Sequence, residues 1–101
     1  MLEELYYFMK SEDPMIEMGK MMSCNGLTYK GKVFCFEYNN EMVFKLGKGF
    51  DIEALDITEY EFLNPFKTKG PMMAWFIVKT RYQEKFEQLA LLALNDMKRT
   101  L

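Results

Sequence analysis

Histidine is missing from all 101 residues, and with it go the usual general base near neutral pH and the commonest metal ligand. Ser-His-Asp and Cys-His catalysis and every His-containing zinc site are thereby excluded. Cysteine is scarce: Cys24 and Cys35 are the only two, and in a reducing compartment two free thiols are expected rather than a disulfide. Long hydrophobic runs are lacking too. The longest, Met72 to Val78, has seven residues against the roughly 20 that cross a bilayer, so no membrane partner is expected. The opening Met1-Leu2-Glu3-Glu4-Leu5 is acidic where a secretory signal is basic, and no apolar stretch follows it; the cytoplasm is the expected compartment. There is no basic excess, with 13 Lys and Arg against 15 Asp and Glu and a net charge of -2. Direct nucleic-acid binding is not expected, because backbone phosphates select a concentrated Lys/Arg face. No Pro/Gly/Ser linker, internal repeat or low-complexity tract divides the chain, which therefore reads as a single domain over residues 1–101. At this size roughly 65% of the unfolded surface is hidden on folding, enough for one core but not for separate cofactor and substrate domains.

What is present is a chain 50% hydrophobic and 16% aromatic whose periodicity changes along its length. Leu2, Leu5, Tyr6 and Met9 fall at helical spacing, with Glu3 and Glu4 in the first turn, where they suit the helix dipole. A short helix over Leu2 to Lys10 is expected, stopped by Asp13-Pro14. From Ile16 to Leu46 the period is two, and strands are expected at Glu17 to Met22, Leu27 to Tyr29, Lys32 to Glu37 and Glu41 to Leu46, with a tight turn at Lys30-Gly31. For the last hairpin, a three-residue loop of Tyr38, Asn39 and Asn40 pairs Phe36 with Met42 and Phe34 with Phe44. That register is preferred because it places four apolar side chains on one face. Its other face carries Val33, Cys35 and Val43 beside Glu37, Glu41 and Lys45, half apolar and half charged. A helical turn capped by Asp51 is expected over Asp51 to Ile57. Met72 to Val78 is apolar on both alternating sets, the pattern of a strand covered on both sides. Tyr82 to Arg99 carries Phe86, Leu89, Ala90, Ala93, Leu94 and Met97 at helical spacing and is expected to be the long closing helix. The fold class is therefore α+β: one antiparallel sheet of about five strands with an N-terminal helix and a long C-terminal helix packed on it.

The run Lys20-Met21-Met22-Ser23-Cys24-Asn25-Gly26-Leu27, followed by Gly31, Val33-Phe34 and Val43-Phe44-Lys45, resembles the Met-Phe-Gly-Gly-x-Gly, Gly-x-x-Phe, Leu-Tyr-x-Lys type signature of the TfoX-like N-terminal domain family. Pro65-Phe66, Met72-Met73-Ala74-Trp75 and the closing helix extend the likeness over roughly Met15 to Arg99. Met22 stands for the family's aromatic, and Ser23-Cys24 for its paired glycines. The resemblance implies a compact α+β domain of the kind found in bacterial regulators of competence-gene expression and in stand-alone proteins, and it implies no catalytic residues and no cofactor. Met21, Gly26, Gly31, Phe34 and Lys45 are the positions it singles out.

Few side chains suggest chemistry. Cys24 follows Lys20, and an ammonium near a thiol favours a nucleophilic thiolate, but no base accompanies it; an incidental thiol is the plainer reading, and for Cys35 packing is plainer still. Ten methionines raise a soft-metal site, since thioether and thiolate prefer Cu(I). They fall at core positions, where methionine fills irregular gaps, so no metal is expected. Lys32, Phe34, Phe36 and Tyr38 superficially resemble a base-stacking strand, without the glycine such a strand carries. Asp56, Glu59 and Glu61 lack the alternation of a calcium loop and read as a solvated acidic loop. Val33, Val43 and Trp75 remain as interface candidates, because tryptophan concentrates at interfaces. The function expected from all this is a non-catalytic protein-interaction or regulatory module that pairs with itself, the half-apolar sheet face being completed by a second molecule.

Overall fold

Helix α1 forms where the apolar spacing requires it, over Leu2–Glu12, and buries Leu2, Leu5 and Met9. These coordinates are a computed structural model describing residues 1–65 and 68–101. After α1 come β1 (Ile16–Met21), β2 (Cys24–Tyr29), β3 (Lys32–Tyr38) and β4 (Glu41–Lys45). A 3-10 turn (Ile52–Leu55) leads to β5 (Tyr60–Leu63) and β6 (Met72–Val78), and a second 3-10 segment (Thr80–Lys85) leads into α2 (Phe86–Thr100). The class is α+β. Among the described residues all strands join one antiparallel sheet in the order β1-β2-β3-β4-β6-β5. Phe66, quoted in the family resemblance, lies outside the described residues.

Two-residue turns join β1 through β4, and every one uses left-handed backbone. Met22 and Ser23 have φ of 52° and 67°, Lys30 and Gly31 51° and 81°, and Asn39 and Asn40 50° and 63°. This is the type I′ geometry whose twist matches a hairpin's strands. Asn and Gly accept it cheaply, whereas a side chain at left-handed φ costs about 1–2 kcal/mol. Ser23, which stands where the resemblance has a glycine, is exposed and carries that cost. Ser23→Gly is expected to raise unfolding stability by about 0.5–1 kcal/mol, the relief exceeding glycine's own entropic cost, and a denaturant midpoint checks it.

The β3–β4 register differs from the expected one. Tyr38 pairs with Glu41, Glu37 with Met42, Phe36 with Val43 and Cys35 with Phe44, so the loop is Asn39-Asn40 alone. A bulge resolves the mixing of faces that such a turn brings. Leu27 pairs with Cys35 but Thr28 with Val33, and the extra residue, Phe34, resets the alternation. Phe34 and Cys35 consequently both join the helix side, with Met42 and Phe44. Val33 and Phe36 turn the other way, with Val43. Relative to expectation, Phe36 and Cys35 have exchanged faces.

Three further expectations are corrected. Asp51 precedes the 3-10 turn without making a side-chain cap bond. Of the expected acidic loop, Asp56 and Glu59 are exposed and outside any strand, but Glu61 belongs to the edge strand β5; Arg81 Nη1 lies 3.0 Å from Glu59 Oε1, and Lys79 Nζ lies 3.8 Å from Glu61 Oε2. The closing helix begins later than Tyr82: the 3-10 segment Thr80–Lys85, kinked at Tyr82 (φ -98°, ψ 20°), precedes α2. Phe86, Leu89, Ala90, Ala93, Leu94 and Met97 are all buried as their spacing predicts. Asp13, after α1, meets Lys98 Nζ at 2.7 Å. This bond to Lys98 holds the Asp13 carboxyl below its ordinary range and ties the two helices together.

The sheet face away from the helices is sheltered by the chain itself. Phe36, Val43 and Leu63 are fully buried and Trp75 is 7% exposed, because Met21 and Cys24, at the far end of the β1–β2 hairpin, pack against them with Val33, Met72 and Ile77. The premise that a second molecule must cover this face is overturned. Gly19 and Gly26 face each other across that hairpin, and paired residues without Cβ leave its strands free to bend.

Candidate functional site

Two surfaces stand out once the core is accounted for. The first is a concavity of about 580 Å³ where the sheet meets the end of α2, lined by Lys20 and Met21 of β1, Lys32 and Val33 of β3, Lys45 of β4, Trp75 of β6 and the last turn of α2. Strand twist and the bent hairpin bring β1 and β6 together here although three strands separate them in the sheet order. Among the described residues no acidic side chain lines the hollow. Lys45 Nζ has Asp96 Oδ2 at 4.0 Å, the outer limit of an ion pair, and Arg99 also holds that carboxylate. Among the described residues neither Lys20 nor Lys32 forms an ion pair.

The second surface is the outer edge of β1. Met15, Met18 and Met22, along and beside this strand, are 51%, 48% and 40% exposed, and no strand lies outside β1 among the described residues. Lys10 guards its beginning: Nζ donates to the Pro14 and Ile16 carbonyls at 2.8 Å each and to Glu17 Oε1 at 3.0 Å. A lysine so placed blunts part of an edge. From Met18 onward the strand carries one further lysine, Lys20, which lines the hollow.

Of the residues singled out from sequence, Met21, Val33, Lys45 and Trp75 meet at the concavity. Val43 is buried beneath it, Phe34 belongs to the opposite core, Gly31 completes a turn and Gly26 sits inside the β2–β3 pairing. In the sequence Lys20 figures only in the resemblance run and beside Cys24, and Lys32 only in a base-stacking pattern, not as members of one site. Each reads as the polar member of an alternating strand, and only the sheet's curvature reveals that they share a hollow. Met18 follows from alternation with Ile16, but its exposure depends on β1 being outermost.

Cys24 pairs with Met21 but does not itself line the lysine concavity. It lines a polar depression with Glu3, Glu37 and Asn25, and its Sγ lies 3.7 Å from the Met22 carbonyl. Full burial pushes the Cys35 thiol far above its ordinary range. The methionines are dispersed rather than gathered: Met9, Met42 and Met97 lie in the helix-side core with Met1 packed against it, Met21 and Met72 lie against the other cluster, and Met15, Met18, Met22 and Met73 face solvent. Among the described residues no group of three or more Cys, Asp or Glu side chains could hold a metal ion, and no helix is long and apolar enough to cross a membrane.

One polar cluster is built around an oxygen. The Tyr82 hydroxyl accepts the Thr58 and Glu59 backbone N–H groups at 3.1 Å each and Arg81 Nη2 at 3.2 Å, with Thr58 Oγ1 at 3.4 Å. The Thr58 hydroxyl, then the two N–H groups and Arg81, outweigh burial and lower this phenol from 10.0 to about 8. Tyr60 moves the other way, raised by burial and by the charge of Glu53. The cluster fastens the entry to β5 onto the segment before α2. In an ultraviolet titration of tyrosinate, Tyr82 is expected to ionise near pH 8 and Tyr60 well after it. Between about 8 and 10 the unfolded chain holds the extra proton, so this group's contribution to stability rises with pH across that window; Tyr82→Phe removes both the early step and the rise.

Comparison with protein-family models, with curated proteins and with solved structures finds no match for this chain. Its chemistry is therefore argued from these surfaces.

Proposed function

We propose that the protein is a non-catalytic protein-interaction module of regulatory type, working in the cytoplasm, that takes its partner along the outer edge of β1. A second copy of the chain is the first partner to test. The observation supporting this reading is the edge itself, a six-residue strand bordered by exposed Met15, Met18 and Met22. Unpaired backbone groups on an edge recruit an added strand, and flexible thioethers adapt to the side chains that arrive with it. The likeness to TfoX-type N-terminal domains points to the same kind of role, by analogy alone.

Sedimentation at high micromolar concentration, together with capture from cell extract, tests the reading with Met18→Lys as the comparison. The wild-type chain is expected to self-associate, or to retain an identified protein, and Met18→Lys to lose that association, because a lysine on the edge opposes strand addition. A strict monomer that captures the same proteins as Met18→Lys overturns it.

A further inference from the structure

The lysine-lined hollow is a different surface from the β1 edge, and its composition suggests a different occupant. Its volume of about 580 Å³ falls within the roughly 300–1,000 Å³ of small-molecule sites. Its floor is apolar, formed by Trp75, Val33 and Met21. Around that floor stand Lys20, Lys32 and Lys45, drawn from three strands of a chain whose net charge is -2. Three ammonium groups about one hollow repel one another, and of the three only Lys45 forms an ion pair among the described residues, with Asp96 at 4.0 Å. Lysine stems readily cover apolar surface while their charged heads stay in water, so a ligand that offers both an apolar body and a negative head complements both parts.

We propose that this concavity binds a small amphipathic organic anion, an aryl or acyl carboxylate or sulfonate, with its head met by Lys20, Lys32 and Lys45 and its body laid against Trp75, Val33 and Met21. An oxyanion head relieves the mutual repulsion of the ammonium groups by charge-assisted hydrogen bonds. The apolar body displaces water from the exposed rim of the tryptophan. Nothing in this inference depends on the β1 edge.

Trp75 is the sole tryptophan and reports on the hollow directly. Its fluorescence is titrated with laurate and with anilinonaphthalene sulfonate, and with lauryl alcohol as the neutral control. Saturable one-to-one quenching by an anion is expected, with the acyl or the aryl probe identifying which kind of body fits. The alcohol should bind at least tenfold more weakly, since a charged hydrogen bond is worth about 1.5–3 kcal/mol. Lys32→Gln with Lys45→Gln is expected to weaken the anion by tenfold or more. Lys32→Glu alone, at an exposed position, serves if the double variant does not fold. Met18→Lys should leave the titration unchanged, separating this site from the edge. Absence of saturable quenching by both anions, equal binding of the alcohol, or an affinity unmoved by the lysine variants overturns the proposal.

Discussion

Phe76→Ala is expected to destabilise the protein by about 3–5 kcal/mol, the range for emptying an aromatic site in a packed core. Phe76 is 1% exposed, in the middle of β6. Its ring meets Phe62 at 5.0 Å, Tyr60 at 5.7 Å and Phe50 at 6.2 Å between centroids. It therefore joins β5 and the segment after β4 to the sheet. Tyr60 and Phe62 are held by strand pairing and cannot close the space. A domain of this length has a total stability of roughly 5–15 kcal/mol, so about a fifth or more is lost. A denaturant midpoint measures it. A loss under about 1 kcal/mol contradicts the packing described for β6.

Gly26→Ala is expected to be nearly as damaging, through excess volume rather than its loss. A Cβ on Gly26 lies 2.5 Å from the Cys35 carbonyl oxygen, 2.7 Å from Phe36 Cβ and 3.1 Å from Phe36 Cα. Backbone and a Cβ cannot swing aside as a side-chain tip does, so β2 must move away from β3. The cost is placed at about 3 kcal/mol, the upper end of the usual overpacking range. Because Met21 and Cys24, beyond Gly26 on the same hairpin, cover the cluster of Phe36 and Trp75, the tryptophan emission should also shift to the red. Gly31→Ala is the control: its φ is 81° and no atom lies within 4 Å of the added Cβ. It should lose about 1–2 kcal/mol to backbone strain alone and leave Trp75 unmoved.

The two helices and the strands they cover could be read from spacing. A 3.6-residue period needs only local information, and α2 buries the six residues its stripe marks. Met72–Val78 announced itself as a two-sided strand by being apolar at every position, and it is one. The β3–β4 register could not be read this way. A period-two pattern says which residues share a face only while the alternation is unbroken, and the bulge at Phe34 breaks it. Strand β5 escaped for a related reason. Four residues carrying one buried leucine are too short for alternation to separate a strand from a loop.

The candidate surfaces divide along the same line. Trp75, Val33, Met21 and Lys45 were identifiable as residue types suited to an interface. That they share a hollow with Lys20 and Lys32 follows from how far the sheet curls. That curl depends on the contacts of Gly26 with Cys35 and Phe36, nine and ten residues further along the chain. The order of amino acids alone determined the α+β class, both helices, and a chain without histidine chemistry, because each is a property of composition or of near neighbours. Only the three-dimensional fold decided which sheet face is covered, which strand is outermost and where the lysines gather, because these depend on backbone approaches between distant segments that no local pattern encodes.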